Sequence, residues 1–118
     1  MKRLNYEIGA YGESLAKNFL RDQGYYILEE NFSCKIGEID LIARDGNYIC
    51  FIEVKTRYSQ DYGTPAESIT YHKRKKLYKV AQYYILINKL QNSSFRFDAI
   101  EIILLNSSFK LNLIKNIM

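Results

Sequence analysis

The sequence predicts an α/β domain with a mixed central sheet flanked by helices. Three observations carry that expectation. Two segments repeat apolar residues at helical spacing, five shorter segments read as strands, and one of the helical segments separates the third strand from the fourth. The 118 residues are 47% apolar and 25% charged, which suits one globular domain over residues 1–118.

The first helix is expected over about residues 5–23. Leu4, Ile8, Tyr11, Leu15 and Phe19 form its apolar stripe, Asn5 suits the N-cap, and Gly24 suits the residue just past its end. Residues 25–33 and 37–44 read as strands, and Asp45-Gly46 signals a hairpin turn into a third strand over 47–56. Gly63 and Pro65 break the polar loop that follows. A second helix starts near Ser68 or Thr70 and runs to about Lys89, burying Leu77, Ala81, Tyr84 and Ile85. After a loop at Asn92-Ser93-Ser94, residues 95–105 and 108–115 read as two more strands joined at Asn106-Ser107. The order α-β-β-β-α-β-β, with a meander crossing over through a helix, implies a sheet with both antiparallel and parallel pairs.

Several function classes are excluded early. No apolar run follows the N-terminal Lys2-Arg3, and none approaches the roughly 20 residues of a membrane span, so no membrane association and a cytoplasmic location are expected. Cys34 and Cys50 are too few for a disulfide framework or a zinc site. The single histidine, His72, excludes a His-rich metal centre, and no nucleophile motif lies near it. Neither a P-loop nor a dinucleotide fingerprint is present. The 11 tyrosines sit mostly at apolar positions of helices and strands, where core packing accounts for them.

Charge is unevenly placed. Residues 1–70 carry 8 Lys/Arg and 11 Asp/Glu, whereas residues 71–118 carry 9 and 2. Basic residues gather at Lys73, Arg74, Lys75, Lys76 and Lys79. Such a run is a solvated helix face or a phosphate-binding surface, and charge alone leaves both open.

The hairpin holds the sharpest chemical signal. With Asp45 and Gly46 as central turn residues, Arg44 faces Asn47, Asp40 faces Phe51 and Glu38 faces Glu53. Alternation then places Glu38, Asp40, Glu53 and Lys55 on one face, with Asp40 and Glu53 as diagonal neighbours roughly 7–8 Å apart at the backbone. Like charges at such positions destabilise a sheet unless something neutralises them. Two carboxylates are sufficient protein ligands for Mg²⁺, which takes oxygen donors and keeps several waters. Lys55 would orient an attacking water or stabilise phosphate charge. A solvated strand end with Lys55 pairing a carboxylate fits the same residues. Glu13 is a candidate third acid, because Gly9 and Ala16 on its helix face permit close approach to the sheet. An exposed helix glutamate is the plainer alternative. Lys73, four residues before Leu77, continues the inward stripe of the second helix.

The segments GAYGESLAKNFL at Gly9–Leu20, GEIDLI at Gly37–Ile42, FIEVKTR at Phe51–Arg57, YGTPAESIT at Tyr62–Thr70, KRKKL at Lys73–Leu77 and RFDAIEI at Arg96–Ile102 occur in this order along nearly the whole chain. In order and spacing they resemble the YraN-like family of predicted nucleases within the PD-(D/E)xK endonuclease-like superfamily. The resemblance implies a restriction-endonuclease-like αβββαβ core with an extra C-terminal strand. It also implies a metal-dependent endonuclease hydrolysing phosphodiester bonds of DNA, as in Holliday-junction-resolvase-like members that cut branched or structured DNA. By motif position it implies Glu13, Asp40, Glu53 and Lys55 as catalytic residues, with Mg²⁺ or Mn²⁺ held by Asp40, Glu53, the Val54 carbonyl and Glu13. Arg57, Lys73, Arg74 and Lys76 are the implied nucleic-acid contacts, with DNA favoured over RNA. A homodimer and a repair or recombination protein partner are the implied assemblies. Ile39 stands where the superfamily's name has proline, and Ser33 stands where similar sequences often carry arginine. The alternatives are a non-catalytic nucleic-acid-binding module and an interaction module of a repair complex.

Overall fold

The computed structural model describes residues 2–58 and 71–118, with side chains from Ile8 onward. The element order is the expected one: α1 (Lys2–Asp22), β1 (Tyr26–Ser33), β2 (Glu38–Asp45), β3 (Tyr48–Tyr58), α2 (Tyr71–Ile87), β4 (Ser94–Leu104) and β5 (Phe109–Ile114). Gly63, Pro65 and the expected helix start at Ser68 or Thr70 lie outside the described residues. Because α1 runs from Lys2, Asn5 lies within the helix and is not its N-cap. Gly24, at φ +89, does end α1, and Tyr25 N–H closes the turn by donating to the Leu20 carbonyl at 2.9 Å.

The five strands form one mixed sheet in the order β1-β2-β3-β4-β5. β3 and β4 run parallel and the other three pairs run antiparallel. A parallel neighbour needs a crossover, and α2 lies between β3 and β4 in the chain. One sheet face packs Ile42, Ile49, Phe51 and Phe97 against Leu77, Val80, Ala81, Tyr84 and Ile85 of α2. The other packs Leu41, Ala43, Cys50, Ile52, Ile100 and Ile102 against Ala16 and Leu20 of α1.

Two details depart from expectation. The buried line of α1 is Gly12, Ala16 and Leu20; Leu15 and Phe19 flank it and Tyr11 is exposed. Small residues set this line because the helix backbone lies close to β3: a Cβ at Gly12 would fall 1.7 Å from Thr56 Oγ1. The hairpin turn is also one residue later. Asp45 pairs with Tyr48, so Gly46 and Asn47 are central. Gly46 takes φ +59, which glycine adopts without a Cβ penalty. The pairing therefore slides by two residues, an even shift that preserves each residue's face. Carried one position beyond Leu41↔Ile52, this register puts Asp40 opposite Glu53 and not diagonal to it.

Alternation fails at one level of the sheet. Ile39 packs with the α2 cluster and Leu41 with the α1 cluster, although residues two apart share a face in a regular strand. On β1, Glu30 pairs with Lys17 of α1 at 2.7 Å, while Phe32 packs against Tyr84 of α2 at a ring-centroid distance of 5.0 Å. Both strands thus exchange sides at a facing pair, Asn31 and Asp40.

Candidate functional site

The side switch gives Asp40 an unusual role. In a continued β2–β3 ladder, Val54 N–H would meet the Ile39 carbonyl; it donates instead to Asp40 Oδ2 at 2.8 Å. One carboxylate oxygen is thereby tied to the β3 backbone immediately beside Glu53. Val54 itself packs into the α1-side core, so Glu53 and Lys55 project to the opposite face.

There they meet the N-terminal half of α2. Gly37, Glu38, Glu53, Lys55, Lys73, Lys76, Leu77 and Val80 line a cavity of about 250 Å³. Leu77 and Val80 form its apolar wall because α2 buries the Leu77–Val80–Ala81–Tyr84 stripe against the sheet. The same periodicity aims Lys73, one turn before Leu77, at the cavity mouth. Two carboxylates and three ammonium groups consequently share one small opening.

The carboxylates are under electrostatic pressure. Burial, then the Asp40 charge, pushes Glu53 up to about 8, with Lys55 and Lys73 opposing the shift. Burial also raises Asp40, and Glu38 adds to the rise, while the Val54 N–H and Lys55 act against it. Burial, then the Asp40 charge, raises Glu13, with the Asn31 side chain and Lys17 opposing the rise. Each acid resists ionisation first because burial disfavours its charged form, and then because a neighbouring carboxylate adds to the penalty.

The expected residues are only partly brought together. Glu53, Lys55, Lys73 and Lys76 line the cavity, joined by Glu38. Asp40 lies beside them without lining it, and Glu13 approaches Asp40 from α1. Arg57 is ion-paired with Glu101 of β4, and Arg74 is exposed outside the cavity lining. Asn31 is the neighbour that the sequence reading passed over; a lone Asn inside a predicted strand was its only signal.

Among the described residues, no three or more His, Cys, Asp or Glu side chains form a group able to hold a metal ion. The donor chemistry that does fit a hard dication is two carboxylates, Asp40 and Glu53, with the Val54 carbonyl. Their raised proton affinities fit it too, since a nearby cation favours the ionised forms. Among the described residues, no helix is long and apolar enough to cross a membrane.

Residues 12–102 match the family model described as "Uncharacterised protein family UPF0102". A "UPF0102 protein" of Clostridium botulinum (strain Kyoto / Type A2) is 54% identical over 119 residues, covering 98% of this chain and 97% of its own. Another "UPF0102 protein", from Clostridium kluyveri, is 57% identical over 103 residues, covering 87% of this chain and 84% of its own.

Proposed function

The chain belongs to the UPF0102 family, and from that premise we propose that it is a metal-dependent endonuclease hydrolysing phosphodiester bonds of DNA, branched or structured DNA included. The fold and motif order are in keeping with a restriction-endonuclease-like core. One observation carries the reading: Asp40 and Glu53 are two carboxylates raised first by burial, Glu53 further by the Asp40 charge and Asp40 by Glu38, and Glu53 shares with Lys55 a cleft faced by a basic helix, with Asp40 alongside.

A bound Mg²⁺ or Mn²⁺ would supply Lewis acidity and a more acidic water. The protein's own groups divide the remaining work. Asp40 and Glu53 would hold the ion, with Asp40 fixed in place by Val54 N–H. The Lys55 ammonium would orient the attacking water and offset charge on the phosphate as the new P–O bond forms and the bond to the leaving sugar oxygen breaks. Lys73 and Lys76, at the cavity mouth, would hold the neighbouring phosphates. The test is cleavage of linear, single-stranded and four-way-junction DNA with and without Mg²⁺ or Mn²⁺, comparing wild type with Asp40→Ala and Lys55→Ala. Wild-type cleavage abolished by both substitutions supports the reading; no cleavage of any form by wild type defeats it.

A second reading, a non-catalytic nucleic-acid-binding module, is favoured by α2 alone. Its 17 residues include Lys73, Arg74, Lys75, Lys76 and Lys79 and no acid. It predicts salt-sensitive binding that survives loss of Asp40 and Glu53.

A further inference from the structure

A second cavity, of about 550 Å³, lies between α2 and the β1–β2 turn, with Phe32, Ser33, Lys35, Ile36, Tyr83 and Ile87 among its lining residues. It adjoins the cleft at Glu53 and Lys55. Ile36 of the second cavity precedes Gly37 of the first, in a turn closed by Cys34 N–H donating to the Gly37 carbonyl at 2.9 Å. On the helix, Lys76, Val80, Tyr83 and Ile87 are spaced i, i+4, i+7 and i+11, so one line of α2 borders both cavities. That line is basic at its Lys76 end and aromatic at Tyr83.

Core packing accounts for Tyr84 and not for Tyr83. Tyr84 is buried and meets Phe32 edge-on at a ring-centroid distance of 5.0 Å. Tyr83 is 42% exposed, with its ring 6.4 Å from that of Phe32. Among the described residues lining this cavity none is acidic, and Lys35 is exposed. A ligand that joins negative charge to flat apolar rings suits such a surface, and a nucleic-acid strand is one. A base inside a duplex keeps its faces in the stack, so only an unpaired base can offer one to Tyr83. An apolar protein segment would suit Ile36, Tyr83 and Ile87 but would gain nothing from Lys35 or from the ammonium groups that lead to them. The helical rise sets Tyr83 about 10 Å beyond Lys76, on the order of three nucleotides of stacked strand.

We propose that the cavity at Phe32 and Tyr83 is a nucleobase subsite, in which Tyr83 stacks on an unpaired base of the strand held at the Glu53–Lys55 cleft and Lys35 meets a phosphate of that strand. The inference rests on the reading above that this cleft takes DNA. It narrows the substrate to DNA with unpaired bases a few nucleotides from the cleft, single-stranded or branched.

The experiment is fluorescence anisotropy in chelator with three labelled probes of equal length: oligothymidylate, an abasic strand and a blunt duplex. The proteins are wild type, Tyr83→Ala, Tyr83→Phe and Lys35→Gln, with the melting temperature of each recorded. Wild type should bind oligothymidylate more tightly than the abasic strand. Tyr83→Ala should bind oligothymidylate about tenfold or more weakly, the scale of one lost base–aromatic stack. It should bind the abasic strand and the duplex as wild type does. Its slope of log affinity against log salt should not change, because no phosphate contact is lost. Tyr83→Phe keeps the ring and should keep wild-type affinity. Lys35→Gln should lower the slope on oligothymidylate by about 0.7. Wild-type affinity of Tyr83→Ala for oligothymidylate overturns the proposal and leaves the groove to an apolar protein segment. An equal loss on all three probes overturns it too, by placing the effect in the fold. Wild type that binds the abasic strand as tightly as oligothymidylate overturns it whatever the variants do. Absence of DNA binding by wild type overturns the DNA reading of the cleft as well, whereas wild-type binding with an unaffected Tyr83→Ala overturns only the subsite.

Discussion

Asp40 and Val54 are joined by a hydrogen bond at the level where the β2–β3 ladder ends: Val54 N–H donates to Asp40 Oδ2 at 2.8 Å. The carboxylate thus has both a structural duty and a proposed chemical one, and substitutions can separate them. Asp40→Asn keeps a carbonyl oxygen for Val54 and removes the charge. Asp40→Ala removes both, leaving a backbone donor unsatisfied at a cost of about 1–3 kcal/mol. Both variants should lose metal-dependent cleavage. Only Asp40→Ala should lose comparable stability, read as the difference in denaturation midpoint between the two.

Stability of the metal-free protein should depend on pH through Glu53. Burial and the Asp40 charge keep its carboxyl protonated in the fold up to about pH 8, against an ordinary value of 4.5. Between these limits the folded chain holds a proton that the unfolded chain has released, so stability falls as pH rises. Asp40, also raised, acts in the same direction. Thermal melts in chelator should therefore show a melting temperature that declines from about pH 5 to about pH 8. Glu53→Gln should flatten that decline. Saturating Mg²⁺ should reverse it, because ion binding requires the deprotonated acids. A wild-type melting temperature that rises across this window in chelator would contradict the assignment.

The basic mouth of the cavity should govern DNA affinity separately from turnover. Lys73 and Lys76 line the cavity beside Glu53, and both are exposed. Replacing each with Gln should weaken binding to any DNA form. Each should also lower the slope of log affinity against log salt by about 0.7–0.9, as the loss of one phosphate contact does. Arg74→Gln, outside the lining, should change the slope less. Fluorescence anisotropy across a salt series, in chelator so that no cleavage occurs, measures both.

Helix α1 should be sensitive to one methyl group. A Cβ at Gly12 would fall 1.7 Å from Thr56 Oγ1 and 2.8 Å from Thr56 Cβ, and a β-branched side chain on a central strand has little room to yield. Gly12→Ala should destabilise by about 1–3 kcal/mol, as overpacking does. It should also weaken the proposed activity, because the same displacement carries Glu13 away from Asp40. Among the described residues, the buried Thr56 hydroxyl has no hydrogen-bond partner. Thr56→Ala should accordingly be tolerated alone and should recover part of the Gly12→Ala loss. Urea denaturation of the two single variants and the double variant tests this non-additivity.

These residues also mark how far the sequence could be read. Glu53 and Lys55 were legible because alternation in an apolar strand puts residues two apart on one side. Their face survived a wrong turn position because the register error was even. The direct opposition of Asp40 and Glu53 was not legible, since Asp45-Gly46 allows glycine at either central position. Apolar periodicity marked Leu15 and Phe19, yet close approach selects the smallest residues, and Gly12 and Ala16 carry no hydropathy signal. The side switch at Asn31 and Asp40 needs two strands to break alternation together, which no single-strand pattern records. Arg96 and Asp98 left a readable trace that went unused: opposite charges two apart inside an otherwise apolar strand.

That last pair sets a prediction about stability without chemistry. Asp98 is fully buried; Arg96 Nε donates to both of its oxygens at 3.0 and 3.1 Å, and Asn116 N–H donates to Oδ1 at 3.0 Å. The same guanidinium donates to Asp45 and to the Tyr25 hydroxyl, each at 2.8 Å, tying the hairpin turn and the end of α1 to β4. Asp98→Ala would take from Arg96 its fully buried partner, leaving it the part-exposed Asp45 and the Tyr25 hydroxyl, and would free the Asn116 N–H, a loss of up to about 3–5 kcal/mol. Asp45→Ala removes a partner that is one-third exposed and should cost no more than about 1 kcal/mol. Neither residue lines the cavity at Glu53 and Lys55. Both variants should therefore retain wild-type cleavage per folded molecule when assayed well below their melting temperatures. A loss of cleavage in folded Asp98→Ala would mean that this network supports the site as well as the fold.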